Sequence, residues 1–499
     1  MNESTVVESK QFQDEYGYLH TTKAILGQGG QGIVYRTHDV DLAIKLPLKG
    51  GEPLNHPHDI RQAKKSFNRL KYLPLETLKI STPIALLEQE FIAESPINTT
   101  GYIMRLMADM RPFSDFIFGE QTPQDIKMLE IPNYLQDTFA FANNMDILQR
   151  MAFYIATHGV KRRLKALYRC ALVLHQLHSR GLFFADINPN NEFLSNDLEY
   201  EEVWLIDADN IYYDDPNNHQ VDIYFPKYGA PEVVTRKAKS SIVSDCYSFA
   251  ILSHIILTQH HPFDGIAITE NENAGWDDDN QNNEDFSSEV DKSETGELAW
   301  ILSRHDNSNQ NLIPLGFVIQ EPEIFKLFEQ TFEQGKFDIY QRPTMNLWVI
   351  ALAKLHDRLL SCPNCHFTFA TLADETCELC QMPRPAYLNI EVFNQQKAKV
   401  WQFVHGINDS EIQIPTRLVS SVDTDEGYIS LLEVTVTDKH LLLTKKHRDW
   451  DCSILGTSRS SSWVYTFKTA LVYDSVIEIQ ALSKNHTDQN FILQLSIKK

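Results

Sequence analysis

Between about residues 15 and 108, apolar and polar positions alternate in short runs, the period-two signature of half-buried strands. One stretch there breaks the rhythm: DIRQAKKSFNRLKYL (Asp59 to Leu73) has helical spacing. From about 145 to 180, MDILQRMAFYIATHGVKRRLKALYRCALVLHQLHSRG predicts a long helical segment with a basic middle. Short strands and a loop follow to about 232, then helical segments to about 360. Within them, YSFAILSHIIL (Tyr247 to Leu257) is apolar but too short for a membrane span, and reads as a buried helix. From 386 to 499 the pattern changes again. YLNIEVF, LLEVTVT, HLLLTKK, VIEIQAL and FILQLSI alternate between Asn, Asp, Gly and Ser breaks, which predicts an all-β domain, sandwich or barrel. Residues 270–297 are acidic, amide-rich and nearly free of aliphatic residues, and read as a flexible insertion.

Composition narrows the options. A chain of 499 residues with 42% apolar content has room for two to four packed domains. A net charge of -22 argues against nucleic acid or an anionic membrane as the main partner. The first residues lack the basic and apolar regions of a secretion signal, so a cytoplasmic protein is expected. Cys170, Cys246 and Cys452 are isolated and read as core thiols.

The first chemical signal is LGQGGQGIVYR, with glycines at Gly27, Gly29 and Gly32 ahead of Val34. The β-branched residues after Gly32 favour a strand, which excludes the glycine-to-helix junction of a dinucleotide-binding fold. LAIKL then places Lys45 on the next strand after a short turn. Glycines that let a backbone approach phosphates, with a lysine on the neighbouring strand, are the parts of a nucleotide site.

Further landmarks follow in order. GYIMRLM (Gly101 to Met107) is a strand and hinge, FFADINPNNEFL (Phe183 to Leu194) a polar loop in an apolar frame, and VWLIDAD (Val203 to Asp209) a strand ending in acids. YGAPE, SDCYSFAILSHIILT and QRPT complete the set. Over roughly residues 15 to 358 the sequence resembles a eukaryotic-like protein kinase. The resemblance implies an α+β bilobal fold, with an N-lobe at 15–108 and a C-lobe at 109–358. It implies that Gly27, Gly29, Gly32, Val34, Ala43, Lys45, Met104 and Leu106 surround ATP, with Met104 as gatekeeper. Asn191 and Asp207 would hold magnesium or manganese, Lys45 the phosphates, and Asp186 the substrate hydroxyl. Asp245 would be a structural acid, and Arg342 the ion-pair partner of Glu232.

Departures from the family pattern bear on activity. Phe184 and Ala185 replace the His-Arg before the catalytic Asp, and residues 207–232 contain no Ser or Thr. Together these argue against a switch worked by Ser/Thr phosphorylation of that loop. Asn188 stands where a lysine meets the γ-phosphate, and Ala208 and Asp209 replace Phe and Gly. The helix from Asp59 has no glutamate for Lys45, leaving Gln62 or Asp59 as its partner. Two readings stay open: a kinase acting on Ser/Thr of a protein substrate, and a nucleotide-binding pseudokinase scaffold.

The remaining cysteines form Cys362-x2-Cys365 and Cys377-x2-Cys380, eleven residues apart. Two knuckles of thiolates at this spacing predict a structural zinc site with no open position, at 359–385. A kinase-like segment running directly into such a knuckle resembles bacterial kinases found in tellurite-resistance-like stress systems. That resemblance implies a von Willebrand A protein and a PPM-type phosphatase as partners. The β domain at 386–499 carries no legible chemistry; a phosphopeptide reader is one option for it.

Overall fold

The computed structural model describes residues 9–29, 32–92, 95–107, 109–119, 122, 129–138, 144–197, 202–215, 221–267, 292–311, 313–369, 372–407, 411–420, 430–455, 466–486 and 489–499. Helices and strands are mixed throughout, an α+β organisation. The helices run, in chain order, α1 (Pro57–Leu70), α2 (Asn133–Thr138), α3 (Met145–Ala156), α4 (Gly159–His178), α5 (Pro231–Val234), α6 (Ile242–Thr258), α7 (Pro322–Glu329) and α8 (Met345–Arg358). Two compact units emerge. One comprises residues 1–114, 176–252 and 287–297, the other 115–175, 253–286 and 298–499.

The first unit is built on strands β1 (Gln11–Asp14), β2 (Leu19–Gln28), β3 (Gly32–Thr37), β4 (Leu42–Lys49), β5 (Glu52–Pro53), β6 (Pro83–Ile92), β7 (Ser95–Asn98) and β8 (Tyr102–Arg105). They pair in the order β1-β2-β3-β4-β8-β6-β7, and β1 also pairs with β6, closing six of them into a ring. Alternation along each strand decides what faces inward. Ile33, Tyr35, Ile44, Leu46 and Ile103 join Phe12, Leu87 and others in the core. Directly opposed residues share a face. Val34 opposes Lys45, Lys45 opposes Tyr102, and Ala43 opposes Met104, so these five lie on the face turned away from that core. Helix α1 buries Ile60, Phe67 and Leu70, and Phe67 meets the Tyr102 ring edge-on at 5.0 Å.

Two small sheets complete this unit. Strand β10 (Leu182–Phe184) pairs with β13 (Ile211–Tyr213), and β11 (Glu192–Ser195) lies between β9 (Met110–Pro112) and β12 (Val203–Leu205). They frame the polar loop of residues 185–191.

In the second unit, the helical pattern of 145–180 divides into α3 and α4. His158 and Gly159 take φ of 66° and 63°, left-handed backbone that no α-helix passes through. The reason for the break is close approach: a Cβ on Gly159 would sit 2.2 Å from the His366 carbonyl oxygen. Trp300, Phe328 and Phe332 pack around buried His254, with Trp348 edge-on against Phe328, and the His254 Nε2 accepts the Trp300 N–H at 3.2 Å. Burial pushes His254 down to about 3, so it packs as a neutral ring.

The C-terminal residues form two antiparallel sheets. One has the order β15-β14-β22-β21-β19 and the other β16-β17-β18-β20. The strands are β14 (Tyr387–Phe393), β15 (Lys399–Gly406), β16 (Glu411–Pro415), β17 (Ser430–Val436), β18 (His440–Lys445), β19 (Trp450–Ile454), β20 (Thr466–Ala470), β21 (Val476–Ser483) and β22 (Asn490–Lys498). Helix α8 is tied to them at Asp357. Its carboxylate accepts from Trp401 Nε1 at 2.9 Å and from Arg417 Nε at 2.9 Å and Arg417 Nη2 at 2.5 Å, all buried. Most of the insertion expected at 270–297 lies outside the described residues; at its end, residues 292–295 form a helical turn rather than loose chain.

Candidate functional site

Lys45 is 4% exposed on β4. Gly32 on the neighbouring strand leaves room for it, since a Cβ there would lie 3.1 Å from the lysine Cε. The Gly29 N–H donates to the Gly32 carbonyl at 2.9 Å, which ties the end of β2 to the start of β3; Gly30 and Gln31 lie outside the described residues. Gly27 opposes Val34 across the same hairpin. Ala43 and Met104 are buried, and Leu106 and Val34 half-buried.

The lysine's partners differ from those expected. Gln62 is exposed, and Asp59 pairs with Lys49 at 2.9 Å. Lys45 Nζ instead lies 3.0 Å from Asp207 Oδ1, and 3.1 and 3.0 Å from Asp209 Oδ1 and Oδ2. Asp207 adopts the left-handed conformation (φ 60°, ψ 50°) and opens the short 3-10 turn Ala208–Asn210. That turn brings two acids onto one cation. Burial alone would push Lys45 down, but the Asp209 and Asp207 carboxylates outweigh it and hold the lysine above its ordinary value. Burial raises Asp207, against the pull of Lys45.

The loop between β10 and β11 is fixed from both ends. Asp245 on α6 accepts the Phe184 N–H at 2.7 Å and His178 Nε2 at 2.9 Å. Asp245 is therefore a backbone anchor, and burial raises it to about 6. Inside the loop, Asp186 is gripped by three amides. Asn191 Nδ2 donates to Oδ2 at 2.9 Å, Asn210 Nδ2 to Oδ2 at 3.1 Å, and Asn188 Nδ2 to Oδ1 at 3.2 Å. Asn191 and Asn188 also donate to the Asp186 carbonyl, at 2.9 and 3.0 Å. Asn188 is 1% exposed, so it orients Asp186 rather than facing outward as a phosphate contact would. Burial pushes Asp186 above its ordinary value, more than the amides pull it down.

A fifth of the chain is similar to protein kinases. Over 99 residues it is 30% identical to CBL-interacting protein kinase 4 of Oryza sativa subsp. japonica, covering 19% of the chain and 22% of that relative. Over 110 residues it is 31% identical to Serine/threonine-protein kinase pkn2 of Myxococcus xanthus, covering 21% of the chain and 13% of that relative. The chain thus spans less than a quarter of the length of either kinase. No protein-family profile matches.

With kinases as the point of comparison, the residues that the sequence reading named fall into one unit: Gly27, Gly29, Gly32, Val34, Ala43, Lys45, Met104, Leu106, Asp186, Asn191 and Asp207. The chain brings Lys45 to Asp207, and Asp186 to Asn191. It adds Asn210 and Tyr102, which the sequence reading missed. Asn210 sits one residue beyond Asp209, where only the left-handed turn at Asp207 aims it back at Asp186. Glu192 was also missed. It is fully buried, and neither oxygen has a partner of ordinary hydrogen-bond geometry among the described residues. Burial and then the Asp186 charge raise it well above the carboxylate range, more than the Asn188 and Glu192 backbone N–H groups lower it.

The four clustered cysteines lie in the second unit. Cys362 Sγ and Cys380 Sγ are 3.5 Å apart, Cys365 Sγ and Cys377 Sγ 3.6 Å, and all four sulfurs lie within 4.8 Å of one another. Tetrahedral zinc with Zn–S of about 2.3 Å needs sulfurs about 3.8 Å apart, so the residues fit the ion. The two halves repeat the same backbone device. His366 and Gln381, each following the second cysteine of its pair, take positive φ, and their N–H groups return to the Cys362 and Cys377 carbonyls. His366 is not among the clustered ligands.

Proposed function

We propose that this chain is an ATP-dependent protein kinase that transfers the γ-phosphoryl group to a protein hydroxyl, most naturally of Ser or Thr. The observation that carries the reading is the convergence of four groups of complementary chemistry. Lys45 is a buried cation on a strand beside a glycine turn, and Asp207 a carboxylate at its ammonium. Asp186 is a pinned carboxylate, and Asn191 an amide whose N–H groups point to Asp186. That leaves the Asn191 carbonyl oxygen and the Asp207 carboxylate as hard oxygen donors suited to magnesium or manganese. The metal, when bound, neutralises charge on the β- and γ-phosphates.

The remaining chemistry belongs to the chain. Lys45 orients the α- and β-phosphates, and Gly27, Gly29 and Gly32 let the backbone lie close over them. Val34, Ala43, Met104 and Leu106 line the base. Asp186 aligns the substrate hydroxyl and accepts its proton as the oxygen bonds to the γ-phosphorus and the bond to the β,γ-bridging oxygen breaks, releasing ADP. The raised Asp186 suits a proton acceptor. Its three amides hold the carboxylate in one rotamer.

The second reading is a pseudokinase scaffold, favoured by one observation: α1 brings no carboxylate to Lys45. Recruitment through the zinc knuckle or the β domain, a cytoplasmic location, and a von Willebrand A protein and PPM-type phosphatase as partners are further parts of the proposal. Incubation of the purified chain with labelled ATP, magnesium and candidate partners tests it. The kinase reading expects incorporation that Lys45→Met abolishes. Equal labelling in the variant would contradict it.

A further inference from the structure

In the kinase reading, Lys45 needs a fixed counter-charge that remains when a metal engages Asp207. Helix α1 does not offer one. Its sole acid, Asp59, is taken by Lys49, and Gln62 faces solvent. Asp209 meets every geometric requirement. Both its oxygens lie within 3.1 Å of Lys45 Nζ, and Tyr102, the residue opposite Lys45 on β8, donates its hydroxyl to Oδ1 at 3.0 Å.

The backbone of Asp209 is held separately. Arg69, on the last turn of α1, donates from Nη2 to the Asp209 carbonyl at 2.7 Å and from Nη1 to the Ile211 carbonyl. Its guanidinium carbon lies 4.1 Å from the centre of the Tyr212 ring. The helix therefore reaches Lys45 indirectly. It supplies a cation that fixes the turn, and the turn supplies the carboxylate.

We infer that Asp209 is the positioning residue for Lys45, locked by Tyr102 and Arg69, and that it replaces a helix-borne carboxylate in orienting the lysine toward nucleotide phosphates. With both oxygens already engaged by Lys45 and Tyr102, Asp209 holds the lysine rather than a metal. The inference rests on the kinase reading for its ligand, but not on turnover.

A double-mutant cycle on Mg-ATP affinity tests it, measured calorimetrically on the full chain. Asp209→Asn is expected to weaken binding about 10-fold or more, because it removes one partner of a buried charge pair. Asp209→Glu should recover part of the loss, Tyr102→Phe should show a smaller one, and Gln62→Ala none. In a Lys45→Met background, Asp209→Asn should cost nothing further. A merely structural Asp209 would cost the same in both backgrounds, and that result overturns the inference. So does unchanged affinity in Asp209→Asn with an unshifted melting temperature, or a wild-type chain that does not bind Mg-ATP. A wild-type chain that binds but never transfers phosphate removes the kinase reading alone, and the cycle still decides the role of Asp209.

Discussion

Glu192 is a buried acid whose chemistry fits its surroundings poorly. It is a carboxyl group with no exposure, beside Asp186 and, among the described residues, without hydrogen bonds of ordinary geometry. A protonated carboxyl tolerates that environment, but a carboxylate does not. Its raised folded-state value fixes the sign of the pH dependence. Full stability is present below the unfolded value of about 4.3, and is lost progressively as pH rises toward the folded value. Glu192→Gln, which cannot ionise, should therefore gain in stability relative to the parent as pH rises, by roughly 1–3 kcal/mol of unfolding free energy at neutral pH, read as a melting temperature that rises relative to the parent's. Identical melting curves across pH 4 to 8 would count against a buried acid here. At this scale the sequence was informative about identity and poor on partnership. Lys45, Asp186, Asn191 and Asp207 are singled out by the spacing of their motifs, and the structure brings Lys45 to Asp207 and Asp186 to Asn191. Asp209, the other partner of Lys45, is not singled out in this way. It comes from 164 residues away in the chain, aimed by one left-handed residue that composition does not announce.

Among the elements, local pattern decided much and close approach decided the rest. The strand Tyr387–Phe393 reads directly from its alternation, the hairpin at the glycines from Gly27, Gly29 and Gly32 ahead of β-branched residues, and the cysteine knuckles from their Cys-x2-Cys spacing. Strands β15, β16, β19 and β20 were missed; the inner face of β20 is only half-buried and carries one large apolar residue, Phe467, so its alternation is faint in the sequence. The split between α3 and α4 arises from packing of Gly159 on His366, and only Gly159 itself hinted at it. The joint of α8 with β15 gives a sharper test. Arg417 and His356 hold Asp357 far below its ordinary value against the opposing effect of burial. That contribution is present above the unfolded carboxylate value of about 3.9 and fades as pH falls below it. Asp357→Ala leaves Arg417 buried without its counter-ion, and should cost about 3–5 kcal/mol in denaturant titration. A loss under 1 kcal/mol would mean that the network carries little. For the knuckles, native mass spectrometry should find one zinc ion per chain, and chelation should open residues 359–385 to protease. A chain that is metal-free as isolated, yet equally protected, would contradict the zinc assignment.

At the scale of the whole molecule, the mixture of an N-terminal β-rich region, helices and a C-terminal β region was legible, because hydrophobic periodicity changes along the chain. The division into compact units was not. Residues 176–252 cluster with the N-terminal strands rather than with the helices around them in sequence, a long-range outcome that no local pattern encodes. That clustering places Lys45, Asp186, Asn191 and Asp207 in one body. No helix among the described residues is long and apolar enough to cross a membrane. The proposed function assigns phosphate transfer to this body, with Asp186 as proton acceptor. The most direct measurement compares wild type with Asp186→Asn in labelled-phosphate transfer to a protein acceptor, with Mg-ATP affinity measured in parallel. Transfer by wild type is expected, with a loss of at least ~100-fold in the variant and affinity nearly unchanged. Nucleotide binding by both chains with equal transfer, or with none, would contradict that assignment.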